Sequence, residues 1–288
     1  MFRIDGNHTG GGTINRQVQS TAKDWWINLS GDNSGFTGTF NMITNGVTYL
    51  SSPNAGSAAA VWNMASDAAV LASTGLETGS IVSLGELSGS GTLQNDTNLV
   101  TFQVGAKNTD ATFTGTIQDG NENSPLGIEK VGSGTWTLDK ATLDYTGGTT
   151  VTAGTLALGT GTYNLGDLTA NGGRLSLTIH SANEYSRLVV DAITSVNYGF
   201  LNPVFDEGFN PYDFTYEVFS TTPTGLPEGF DWDLLLAPEF RYGWNLVQQG
   251  NGLALSADRN AIPEPATWTL LALGMLLLLR KGYKRGIR

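Results

Sequence analysis

Between residues 119 and 130 the chain reads DGNENSPLGIEK, which sets Asp119, Asn121 and Asn123 at alternating positions. Oxygen-bearing side chains in that spacing occupy the first three ligand positions of a calcium-binding loop. The rest of the pattern fails, because Ser124 stands at the sixth position, where glycine is needed, and Lys130 at the twelfth, where a bidentate glutamate is needed. A polar loop between strands is the better reading, so no metal and no cofactor are expected. Two acid pairs, Asp206 with Glu207 and Asp231 with Asp233, have the types required for general acid and base work on a glycosidic bond. Nothing in the sequence sets them against a cleft. The two histidines, His8 and His180, are isolated, and His180 beside RLSLTI reads as an edge or surface residue. No G-x-S-x-G, P-loop or G-x-G-x-x-G pattern occurs, so catalytic residues are expected to be none and an enzyme is not expected. The Asn-x-Ser/Thr triplets at Asn7, Asn28 and Asn95 are read as chance.

The strongest pattern lies at the C-terminal end, IPEPATWTLLALGMLLLLRKGYKRGIR. The apolar run 266–279 would span about 21 Å as a helix, against roughly 30 Å of hydrocarbon. It is short for a permanent span. Its seven leucines favour insertion by about 0.3 to 0.6 kcal/mol each, similar in size to the penalty for the missing length. Trp268 and Tyr283 flank it as interfacial aromatics do, and Arg280, Lys281, Lys284, Arg285 and Arg288 follow with no acid among them. That basic cluster stops the segment and should stay in the cytoplasm.

The elements that carry these residues are expected to be strands. Of 288 residues 38 are glycine and only 14% are charged, which argues against a helical fold. Net charge is −11, and removing the five basic residues of the tail leaves ten Lys and Arg against 26 Asp and Glu, or −16. A phosphate-backbone partner is excluded on that ground, so no nucleic acid is expected. The absence of cysteine removes disulfides, zinc thiolates and thiol nucleophiles together. The N-terminal MFRIDGNHTGGGTINRQVQST has no basic region followed by an apolar stretch, so no secretory signal is visible, and its GGGTI looks like the middle of a repeat, which suggests a misplaced start or a fragment of a longer gene product.

Short runs rich in Thr, Val, Leu, Ile and Phe alternate with Gly, Asn and Asp from about residue 28 to 179. FTGTF at 36–40 returns as FTGTI at 113–117, and GSGTL at 89–93 returns as GSGTW at 132–136. The units TGGTTVTAGTLAL and LTANGGRLSLTI give roughly 20 residues per repeat, the spacing of stacked β-coils. The alanine-rich 57–73 lacks a helical apolar stripe and is read as strand or loop. The fold class is therefore all-β: a right-handed parallel β-helix or solenoid over 1–180, preferred to a β-sandwich. Residues 181–260, richer in aromatics and proline, read as a β-rich antiparallel cap closed by the hairpin RYGWNLVQQGNGLALSA, with its aromatics in the cap core rather than forming a sugar platform. Residues 261–288 are read as one short hydrophobic C-terminal helix with its flanks.

The stretch GIEKVGSGTWTLDKATLDYTGGTTVTAGTLALG (127–159) resembles the autotransporter-associated β-strand repeat. Its marks are Lys130, Gly132, Gly134, Tyr145, Gly147, Gly148 and Gly154, and with its lead-in the resemblance covers about 81–160. No translocator barrel follows. The tail is similar to the PEP-CTERM sorting signal of Gram-negative bacteria: Pro263, Glu264 and Pro265, then the apolar helix, then the basic cluster. This resemblance implies processing by an exosortase-type enzyme, transient membrane attachment through the tail, and delivery to the cell envelope, surface or extracellular matrix, with extracellular polysaccharide as a partner. The expected function is thus a non-enzymatic exported surface or matrix protein, adhesin-like, serving biofilm or floc assembly. A carbohydrate-binding or carbohydrate-active β-helix protein is the alternative, and it requires acids and aromatics gathered along one groove.

Overall fold

The computed structural model describes residues 2–17, 26–121, 124–195, 199–221, 236–237 and 243–257. These residues form a parallel β-solenoid of about eight turns, with almost no helix. One face is a seven-stranded parallel sheet of Phe2–Ile4, Trp26–Leu29, Gly46–Leu50, Ala69–Ser73, Thr92–Asn95, Thr116–Asp119 and Thr142–Asp144, paired in chain order. The other two faces belong to one forked sheet. Its fork is the long strand Ser80–Gly89, whose first half pairs with Val100–Val104 and whose last residue, Gly89, meets Phe113 of Ala111–Phe113. A turn of the coil is thus three short strands, as in Thr116–Asp119, Leu126–Lys130 and Thr135–Leu138, followed by Thr142–Asp144, Thr149–Val151 and Thr155–Leu158.

Registers give the coil length. Trp136 lies beside Leu156, 20 residues on, as the internal repeats predict, whereas Thr116 lies beside Thr142, 26 residues on. Extra residues are taken up at the corners, so the sheets keep their register while the repeat period drifts. Alternation along each strand decides what goes inside. In Thr135–Leu138, Trp136 and Leu138 are buried and the threonines between them face outward, and Thr155–Leu158 repeats the arrangement. Neighbouring coils stack like on like: Phe40 lies on Trp62 with centroids 5.1 Å apart. The Trp136 indole N–H donates to the Leu87 carbonyl at 3.0 Å, reaching a residue 49 positions back, so a buried polar atom is satisfied inside the core.

On the outside, Asn15, Asn41 and Asn63 align in register. Asn63 Nδ2 donates to Asn41 Oδ1 at 2.9 Å and Asn41 Nδ2 to Asn15 Oδ1 at 3.1 Å. The alanine-rich segment is strand, Ser57–Met64 and Ala69–Ser73, separated by a turn. The expectation of antiparallel strands from about residue 183 is corrected. Ser186–Val190 still pairs parallel with Gly161–Asn164 and with Thr215–Thr221, and Leu201–Phe205 pairs parallel with Arg174–Ile179. Strand alternation has the same period in both senses, so composition could not reveal direction. Among the described residues, antiparallel pairing is an isolated bridge between Ile179 and Tyr185 and the pairing of Gly252–Ala257 with Thr215–Thr221 and with Trp244–Gln249, the hairpin turning through Gly250 and Asn251.

Candidate functional site

The repeat residues converge on two corners of the coil. Lys130 ends the strand Leu126–Lys130 pointing inward and is 1% exposed. Its ammonium donates to the carbonyls of Val131 at 2.6 Å, Gly132 at 3.0 Å and Ala153 at 3.3 Å, which ties the corner of one coil to that of the next. Burial pulls the Lys130 pKa down to about 8, and Asp110 opposes this only in part. Backbone oxygens, rather than a carboxylate, hold this cation. The corners leave no room for side chains: a Cβ on Gly154, whose φ is +62°, would lie 2.3 Å from the Gly132 carbonyl oxygen, and one on Gly134 would lie 2.2 Å from that of Thr109. Gly132, at φ +69°, presses on the Gly105 carbonyl in the same way.

The second corner is organised by Tyr145, which is buried. Its hydroxyl and the Thr149 hydroxyl are 2.6 Å apart, and Thr149 Oγ1 donates onward to the Leu165 carbonyl at 2.8 Å, so Tyr145 donates to Thr149. Burial pushes the Tyr145 phenol far above its usual range. Gly147 and Gly148 make the bend, Gly148 with φ +81°. Gly147 N–H donates to the Leu126 carbonyl at 2.9 Å, an approach that a side chain would block. Thr149 closes the Tyr-Thr-Gly-Gly-Thr corner by which the repeat resembles its family, and the structure shows it to be buried.

Asp119 sits at this corner as well, and its carboxylate is engaged. Oδ1 accepts from the Leu126 N–H at 2.6 Å, and Oδ2 accepts from the Thr146 hydroxyl at 2.7 Å and its N–H at 3.2 Å. Asn121 Oδ1 accepts from Ser124 Oγ at 2.8 Å, and Asn123 lies outside the described residues. The alternating acid and amides of the calcium-like loop therefore serve the corner in so far as they are described. One coil earlier, Asn95 fills the equivalent register position and is buried, donating to the carbonyls of Asn98 and Pro125 and accepting from Ser73 Oγ at 2.6 Å. Such a side chain is a corner staple and cannot carry a glycan.

His180 and Asp206, far apart in sequence, come together at the end of the coil: Nε2 lies 3.6 Å from Asp206 Oδ1, and Nδ1 lies 4.0 Å from Glu184 Oε1. All three are well exposed, and among the described residues no group of three acids or histidines is placed to hold a metal ion. Asp231 and Asp233 lie outside the described residues. So do Pro263, Glu264 and Pro265, the apolar run, and Arg280, Lys281, Lys284, Arg285 and Arg288. Among the described residues no helix is long and apolar enough to cross a membrane. The aromatics of the last segment divide. Tyr216 and Trp244 are core, as expected, whereas Tyr212 and Phe214 are each 40% exposed.

Comparison with known families matches residues 128–158 to the passenger-associated-transport-repeat. The matched stretch holds Lys130, Tyr145 and all five corner glycines, and it is narrower than the 81–160 suggested by the lead-in. No curated protein matches the chain. A repeat of autotransporter passengers, set in a continuous parallel solenoid, fits an exported surface or passenger-like protein.

Proposed function

We propose that the chain is a non-enzymatic structural protein of the cell surface or extracellular matrix, delivered by its C-terminal tail through an exosortase-type system and acting through its extended solenoid faces in adhesion or matrix assembly. The observation that carries this reading is the passenger repeat at 128–158, with coils of the same solenoid on both sides of it. Its polar residues support a structural role. Lys130, Tyr145, Asn95 and Asp119 spend their hydrogen-bonding capacity on neighbouring corners, and none is left facing a cleft as a catalytic group would be. The sorting step rests on the order of three features in the sequence: Pro263 to Pro265, the apolar run and the basic cluster. A marginal span stopped by charge would hold the segment before it at the outer boundary of the membrane, where a membrane-bound peptidase acts.

The test is intact mass and fractionation of the protein expressed from its own locus, with and without the exosortase. Surface or released material ending near Pro265, replaced by full-length protein in the membrane when the exosortase gene is deleted, is the expected result. An unchanged C-terminus in both strains would refute the sorting step.

A further inference from the structure

Seven large apolar side chains are exposed among the described residues, and four of them, Val204, Tyr212, Phe214 and Val247, lie at the C-terminal cap. Two of these sit on one loop. It leaves the strand Leu201–Phe205, turns at Gly208 with φ +83°, and carries Asp206, Glu207, Phe209, Tyr212 and Phe214 within nine residues.

The exposed rings are held in place. Tyr212 stacks on Trp244 with centroids 5.5 Å apart and planes 27° from parallel, and Trp244, itself buried, stacks on Phe205 at 5.0 Å. Phe214 stacks on Phe209 at 5.9 Å and 16°. The Tyr216 hydroxyl donates to the Pro211 carbonyl at 3.1 Å and ties the loop to the sheet. Each exposed ring therefore has a neighbour fixing its plane, so a ligand lying on it would cost little ordering entropy. A core needs no such exposed rings. The rim of the same loop is polar: Asp206 faces His180 at 3.6 Å, and Glu207 adjoins it in sequence.

Preset aromatic planes on a loop that also carries exposed carboxylates match one ligand chemistry well, a sugar ring, whose C–H face lies on an aromatic plane while its hydroxyls donate to acids. Charge narrows the class. With a net charge of −11 and three acids in the loop sequence, Asp206, Glu207 and Asp213, an anionic glycan, a nucleic acid or an anionic lipid surface is repelled.

We propose that loop 206–214 is a binding site for a neutral hexose polymer, with Tyr212 and Phe214 as stacking platforms and Asp206 and Glu207 as hydroxyl acceptors. This rests on the reading of the protein as one that works outside the cell, where such polymers are met. A binding test on purified protein fails or succeeds independently of the sorting test.

The full chain, purified in mild detergent, is titrated with oligosaccharides of β-1,4-glucan, α-1,4-glucan and mannan, followed by calorimetry and by tryptophan fluorescence, with Trp244→Phe identifying the share that comes from the ring beneath Tyr212. Saturable binding to at least one of them is expected. Tyr212→Ala and Phe214→Ala should each weaken it about tenfold, the effect of losing about 1.4 kcal/mol of stacking, and Tyr212→Phe should preserve it. Because the alanine variants remove ring packing, Tyr212 on Trp244 and Phe214 on Phe209, Asp206→Ala and Glu207→Ala supply a second arm at exposed positions, and each should weaken binding several-fold with an unchanged melting temperature. Three results would overturn the proposal: no saturable binding to any of the three polymers, binding unchanged in folded alanine variants, or Tyr212-dependent binding to phosphatidylcholine vesicles without binding to sugar.

Discussion

Lys130 shows how much a single position of the repeat asks of its side chain. The ammonium is buried, yet three carbonyls from two coils accept from it, so removing it leaves buried acceptors without a donor. Lys130→Met, which keeps the length of the side chain, should destabilise the solenoid by about 2 to 3 kcal/mol, read as a lower urea midpoint. The pH dependence has a definite sign. With a folded pKa of about 8 below the ordinary value of 10.5, the unfolded chain binds the extra proton between those limits, so the Lys130 contribution to stability rises as pH rises through that window. Screening by nearby solvent keeps the gain to about 1 to 2 kcal/mol. Tyr145 and Tyr163, raised above 10 chiefly by burial, act in the opposite sense at higher pH, because the unfolded chain ionises first. The difference in stability between the native chain and Lys130→Met should therefore widen between pH 8 and 10. A constant difference across that range would remove the charge from the account. The spacing of Lys130 among its glycines was legible in the sequence, but its inward direction was not, because lysines seldom lie inside and no local pattern marks the three carbonyls that wait for it.

At the scale of elements, short strands with glycine corners were readable because each strand alternates and each corner must let two backbones meet. The fork at Ser80–Gly89 and the direction of the later strands were not, since both depend on which coil lies beside which. The closing hairpin was legible through its turn at Gly250 and Asn251, and its role follows from its pairing. Gly252–Ala257 covers the edge of Thr215–Thr221, a strand that would otherwise present free N–H and C=O groups to another molecule. Leu255 is buried between Tyr216 on one side and Leu246 on the other. Leu255→Asp should detach the hairpin, because an unpaired carboxylate there costs several kcal/mol, and expose the sheet edge. Light scattering after size exclusion should then show concentration-dependent oligomers. Val247→Asp, at a half-exposed position on the same hairpin, should leave the mass of the particle unchanged. Oligomers in both variants, or in neither, would mean that the hairpin does not protect the edge.

Over the whole molecule, acids are spread along a long body while five basic residues gather in the last nine positions. The acids can face outward because a solenoid coil fills its interior mainly with apolar side chains and leaves the outward-facing half of each strand to solvent. On the proposed reading that charged body repels copies of itself, while the basic tail would be drawn to a membrane surface. Processing would therefore do more than shorten the chain. Cleavage after Pro265 removes Arg280, Lys281, Lys284, Arg285 and Arg288 and no acidic residue, taking the net charge from −11 to −16. The mature form should accordingly elute from an anion exchanger at higher salt than the precursor and focus at lower pH, while its far-ultraviolet circular dichroism stays that of the β-solenoid. A change of charge without a change of fold would mark the tail as a separable address on a body already complete. If the solenoid signal is lost together with the tail, the last 23 residues contribute to the fold itself, and the sorting signal and the structural protein cannot be regarded as separate parts of the chain.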